Sequence, residues 1–223
     1  MREMVAKRSC SPAGRVTRSL LGYGGLAGPF YVILVLVQGL TRPGFDLTRH
    51  DASLLSNGTL GWIQIANFLL TGAFVLAFAV GLGRALGSGR GATWAPRLIA
   101  GYGLGLIGAG IFIADPMNGF PAGAPAGHPA TVSLHGVLHL VAAGLGFLCL
   151  LAACVVMARR FAAERRRGWM AYSMLAGVAF LVAFAGLASG SASPVVVLGF
   201  WSALILVWSW MAAVAVHFYR RVS

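Results

Sequence analysis

Six apolar runs, at 20–40, 60–86, 98–114, 134–157, 170–189 and 195–218, take up most of this 223-residue chain. A helix rising about 1.5 Å per residue needs about 20 residues to cross about 30 Å of hydrocarbon, so each run is a candidate span. The third is the shortest and the richest in glycine. With 58% hydrophobic and 10% charged residues and a mean hydropathy of +0.82, the chain cannot fold as a soluble globule with a polar coat. The expectation is an all-α integral membrane bundle of six transmembrane helices.

Basic residues set the orientation, because Lys and Arg are retained on the cytoplasmic side of short loops. Every Lys and Arg except Arg42 and Arg49 falls in the N-terminal tail, the second-to-third connection, the fourth-to-fifth connection or the C-terminus. This predicts N-in and C-in, with a basic cytoplasmic tail over 1–19, a transmembrane domain over 20–218 and a cytoplasmic C-terminus over 219–223. Trp94, Trp169 and Tyr219 sit beside the basic segments, where amphipathic rings favour the headgroup layer. The first apolar run is read as a retained span, since 39–43 offers no small-x-small cleavage site.

The net charge of +12 does not imply nucleic acid, because the cations are divided among all the inner segments as insertion requires. The bilayer and its anionic headgroups are the natural partners. Cys10, Cys149 and Cys154 form no disulfide framework and read as buried thiols. Sixteen arginines to one lysine, with abundant Gly and Ala, point to a GC-rich bacterial source and hence to the bacterial cytoplasmic membrane.

Two motif matches lack the right context. The stretch from Gly103 to Gly108 satisfies the dinucleotide pattern but lies inside an apolar span, not at a strand-to-helix turn. Gly101, Gly105, Gly108 and Ala109 read better as a small-residue stripe for close helix packing. Asn57-Gly58-Thr59 is a glycosylation sequon only in a eukaryotic secretory pathway.

The chemistry gathers in the two long outer connections, which hold Asp46, Asp51, Asp115 and four of the five histidines, His50, His128, His135 and His139. The first, from Arg42 to Gly58, carries both charge signs and aromatic residues, a density beyond a mere connector. Gly61, Trp62, Gln64 and Asn67 then carry polarity into the second span, where amides face protein or water instead of lipid. In the second connection, Asp115 is expected at the C-terminus of the third span, where the helix dipole opposes its charge and Arg42, Arg49 or a histidine would compensate it. The alternative is that Asp115 caps the turn at Asn118 and Gly119.

His135 and His139, four apart on one helix face, have the spacing of two ligands to one metal ion. A divalent ion such as zinc would need about three protein ligands and an open position, and Asp115, His50 or His128 would complete the set. Two neutral histidines hydrogen-bonded to Asp115 or Ser133 explain the same residues without metal. His217, at the inner end, reads as a lone interfacial histidine.

Arg42-Pro43-Gly44-Phe45-Asp46 with Arg49-His50 and Ser53, Gly61-Trp62-Ile63-Gln64, Asp115-Pro116 with Gly119-Phe120-Pro121, and His135-Gly136-Val137-Leu138-His139 together resemble the bacterial membrane family called domain of unknown function 998. The resemblance covers essentially all six spans. It implies a six-span bundle with no established activity.

Three functions of different classes fit. The first is a membrane-embedded enzyme, metal-assisted or acid-base, acting on a lipid or other apolar small molecule at the outer face. There Asp115, Asp46, His50 and Asp51 are the catalytic candidates, with His135, His139 and Asp115 as metal ligands. Arg42, Arg49, Trp62, Gln64 and Asn118 would bind substrate. The second is a transporter or channel, which places ionisable groups at mid-depth; spans four to six hold almost none. The third is a scaffold whose outer loops form a hydrogen-bonded cap or a partner-binding surface. The grouping of Asp, His and Arg favours the first.

Overall fold

The computed structural model describes residues 11–222. Arg2, Lys7, Arg8 and Cys10 of the basic tail lie outside the described residues. Among the described residues six α-helices follow one another: α1 Pro12–Thr41, α2 Gly61–Leu86, α3 Trp94–Ile111, α4 Leu134–Ala163, α5 Arg167–Ala188 and α6 Pro194–Tyr219. A 3₁₀ turn, Ala52–Ser56, interrupts the first long connection, and there is no β-strand among the described residues. All except α3 are long and apolar enough to cross a membrane, and the chain is a multi-pass membrane protein. In α3 five glycines and Arg97 dilute the apolar character of 18 residues.

Helix ends depart from the apolar runs for local reasons. α1 starts at Pro12, eight residues before its run, because Ser11 accepts a hydrogen bond from Gly14 N (3.1 Å) and proline fits the first turn. Arg15 and Arg18 are therefore helical although they are not apolar. α4 likewise begins with Ser133 Oγ accepting from Gly136 N at 3.0 Å. In contrast α3 stops at Ile111, three residues inside its run, where Phe112 turns to extended backbone (φ −97°, ψ 114°). Hydropathy alone cannot distinguish an apolar extended segment from another helical turn.

Each helix packs on its neighbour in sequence, and α6 returns to α1, so the bundle closes into a ring. Glycines permit the closest crossings. A Cβ on Gly105 would lie 2.6 Å from Gly146 Cα, and one on Gly101 would lie 2.7 Å from Cys149 Sγ, so the small-residue stripe of α3 packs against α4. On α1, a Cβ on Gly28 would come 2.9 Å from Trp208 Cβ of α6. Between α1 and α2 runs a buried amide ladder: Gln38 Nε2 donates to Gln64 Oε1 (2.9 Å), as does Asn67 Nδ2 (3.2 Å), and Thr71 Oγ1 donates to Asn67 Oδ1 (3.1 Å). Amides that would be costly in lipid thus satisfy one another in part, while Gln38 Oε1 and Gln64 Nε2 stay buried without a hydrogen-bond partner among the described residues.

Contacts define the two ends of the ring. At the arginine end the Arg18 guanidinium lies over Tyr219 (5.2 Å to the ring centroid) and Arg160 Nη1 donates to Arg90 O at 2.9 Å. At the histidine end the two long connections and the α5–α6 turn meet. His50 bonds Asn118, His128 bonds Gly190, and Trp201 Nε1 donates to Leu47 O at 3.1 Å.

Candidate functional site

The first connection is fastened down by residues that the sequence offered as chemistry. Buried Arg42 donates to the carbonyls of Leu55 and Asn57 and lies 4.9 Å over the Phe120 ring. No carboxylate among the described residues pairs with it, and burial pushes its guanidinium below the ordinary value. Its fork holds the loop instead of reaching outward. His50 is buried as well: Nδ1 accepts from Asp46 N (2.9 Å), so Nε2 carries the proton and donates to Asn118 O (3.0 Å). Phe45 and Phe120 pack on its ring.

The two aspartates of this connection shape turns. Exposed Asp46 accepts from Thr48 N (2.8 Å) and Thr48 Oγ1 (2.7 Å), and these bonds hold its carboxyl below the usual carboxylate value. Asp51 caps the 3₁₀ turn by accepting from Ser53 N at 2.8 Å, and its side of the turn faces a cavity.

Asp115 is not at the end of a helix as expected. Because α3 stops at Ile111, the extended segment that follows carries Asp115 across to the start of α4. There its carboxylate accepts from Ser133 N (2.8 Å) and Ser133 Oγ (2.5 Å). The helix dipole therefore favours this charge instead of opposing it, and no arginine is needed. Nor does it cap the Asn118–Gly119 turn; Asn118, at φ 57°, makes that turn by donating its N–H to Gly127 O at 3.0 Å. Gly136 makes room, since a Cβ there would collide with the carboxylate.

The i, i+4 histidines separate. His135 is exposed and rests against Phe112 (ring centroids 5.9 Å apart). His139 is buried, with Nδ1 at 3.0 Å from Ala109 O and 2.8 Å from Phe112 O. Two carbonyls can only accept, so Nδ1 carries a proton, and in the neutral ring Nε2 is the acceptor. Ser53 Oγ lies 3.1 Å from that Nε2. Among the described residues no three His, Cys, Asp or Glu side chains gather as a ligand set, and His139 is joined to a serine instead of to His135 and Asp115.

Beneath these loops is a cavity of about 450 Å³. Its rim is polar, with Arg49, Asp51, Ser53, Asn118, His128 and His139; its depth is mainly apolar, with Phe68, Leu106, Phe147, Phe200 and Leu204 beside Tyr31 and Tyr102, the latter's buried hydroxyl having no hydrogen-bond partner among the described residues. Arg49 is exposed and pairs with no carboxylate among the described residues. His128 Nε2 reaches Gly190 O (3.0 Å), closing the second connection onto the α5–α6 turn. Of the other expected binding residues, Asn118 lines the cavity, Gln64 is spent in the amide ladder, and Trp62 is 64% exposed at the start of α2. Nothing local to Ser53 marks it for a role of its own, and apolar rings inside spans carry no signal that separates a cavity wall from a core.

The family model described as protein of unknown function (DUF998) matches residues 11–217. No curated protein and no solved structure matches the chain. The chain belongs to the DUF998 family.

Proposed function

We propose that this DUF998 protein is a membrane-embedded enzyme that draws an amphiphile into the ring and presents its polar end to acid-base groups at the rim. The observation that carries the reading is the cavity itself: mainly apolar in depth, where Tyr31 and Tyr102 are the polar exceptions, with its charged groups and histidines at one end, and within the ordinary size of small-molecule sites. A lipid fits that polarity, with its chain against Phe147 and Phe200 and its headgroup beside Arg49, the rim cation. His139, whose Nδ1–H is fixed by two carbonyls while Nε2 faces Ser53 at the rim, is the group poised to move a proton.

In this reading α3 also crosses the bilayer, giving six spans. The arginine end faces the cytoplasm, as the retention of basic residues requires, and the rim opens to the outer face of the bacterial cytoplasmic membrane. A divalent metal is not needed for the proposed chemistry. A hydrogen-bonded cap accounts for Arg42, His50 and Asp115, but it leaves the cavity without a purpose.

Native mass spectrometry of the detergent-purified protein with an added long-chain monoacyl amphiphile tests the reading. One amphiphile per chain should survive activation that strips detergent, and Ala143→Trp, which places an indole in the cavity, should abolish retention while the protein still melts cooperatively. Equal retention by Ala143→Trp and wild type, or none by either, would sink it.

A further inference from the structure

The rim of the cavity carries a second side chain with reactive potential, and its surroundings match those of an activated nucleophile. Ser53 Oγ lies 3.1 Å from His139 Nε2, within the reach expected of a nucleophile and its general base, and it donates to that nitrogen when the ring is neutral. Both residues line the cavity. The base is in turn oriented, because its Nδ1–H is held by the carbonyls of Ala109 and Phe112. Those carbonyls belong to the last turn of α3 and the residue after it, where unsatisfied acceptors and the negative end of the helix dipole favour a positive charge. A proton taken up by His139 would therefore be stabilised by the end of α3, the task a carboxylate performs in a Ser-His-Asp triad.

We propose that Ser53 is the nucleophile of an acyl transfer and that the amphiphile it attacks is a carboxylic ester. The proposal rests on reading the cavity as an amphiphile site. Ser53 Oγ bonds to the ester carbonyl carbon as its proton passes to His139 Nε2. The carbon–oxygen bond to the alcohol then breaks, and His139 returns the proton to the departing alkoxide, leaving the acyl group on Ser53. Water, giving its proton to His139, attacks the acyl carbon, and the proton goes back to Ser53 Oγ as the carboxylic acid leaves. Asn118 and Arg49, on the same rim, are the N–H donors available to the oxyanion. The aromatic depth takes the acyl chain, which selects long-chain esters over short ones.

A long-chain alkyl fluorophosphonate tests this on the full chain in detergent, read by intact mass and peptide mapping. The wild type should gain one phosphonyl group with loss of HF, on the peptide containing Ser53. Ser53→Ala should gain none, and His139→Gln should react about 100-fold more slowly or worse, the range of a positioned base. Thermal melting and retention of a non-reactive monoacyl amphiphile accompany each variant. An unmodified wild type, or an adduct that persists in Ser53→Ala, overturns the nucleophile while retained amphiphile leaves the cavity reading intact. Failure of retention in the wild type overturns both.

Discussion

The carboxylate of Asp115 occupies the space that a side chain at Gly136 would need. The two residues lie on different elements, and their fit ties the second long connection to the first turn of α4 through Ser133. Gly136→Ala should therefore expel the carboxylate and cost about 1–3 kcal/mol, as overpacking does. A lowered melting temperature in detergent is expected, with Asp115→Ala lowering it too. The two losses should not add in the double variant, because each breaks the same contact. Additive losses would mean the two residues act separately.

His135→Ala should leave stability within about 0.5 kcal/mol of wild type, since the ring is exposed. Elemental analysis of the purified protein should give the same metal content before and after the change. A stoichiometric transition metal lost with His135 would instead support the metal-centre reading that the spacing of the histidines suggests.

Arg42→Met should cost at least about 2 kcal/mol, because it strands the carbonyls of Leu55 and Asn57 that a charged donor now satisfies. Arg42→Lys should recover only part of the loss, as an ammonium cannot reproduce the fork. If Arg42 chiefly binds headgroups, Arg42→Met would instead melt like wild type and lose amphiphile retention.

Stability should decline in acid partly through Asp46. Its folded carboxyl is held low by Thr48, so the contribution is present above the usual carboxylate range and is lost as pH falls through the depressed folded value. Melting temperatures of wild type and Asp46→Asn, taken between pH 7 and 3, should converge toward the acid side. A gap that widens there would contradict the assignment. The effect is small because the group is exposed.

Gly105→Val should prevent the close crossing of α3 on α4, because the added atoms meet Gly146 Cα and Ala142 O, which are backbone. Gly25→Ala, where nothing lies within 4 Å, should be neutral or stabilising by about 0.5–1 kcal/mol. Yield of monodisperse protein and melting temperature separate the pair. Equal tolerance at both positions would mean that α3 and α4 can separate at little cost.

Much of the helical pattern is legible in the chain, because apolar runs and basic flanks mark the stretches that meet hydrocarbon. The α2 and α6 boundaries lie within a residue or so of those runs. The early end of α3 is not legible, since Phe112 to Ala114 are as apolar as the helix before them, and that one break decides where Asp115 lies. The histidines and aspartates stand out by type and place. What each does depends on partners far away in sequence: His139 meets Ser53, 86 residues earlier, and His50 meets Asn118, 68 residues later. No local spacing encodes such pairs, so the metal-like interval from His135 to His139 draws attention to a helix face whose two rings have separate fates.

The closure of α6 onto α1 bears on how the chain is made. Until α6 emerges from the ribosome, the face of α1 around Gly28 lacks Trp208, and Leu47 lacks Trp201. α1, made before α2 to α6, is thus among the last of them to complete its packing. A nascent chain of five helices should behave as an open, chaperone-dependent intermediate, and the cavity comes into being only when the final helix seals the ring.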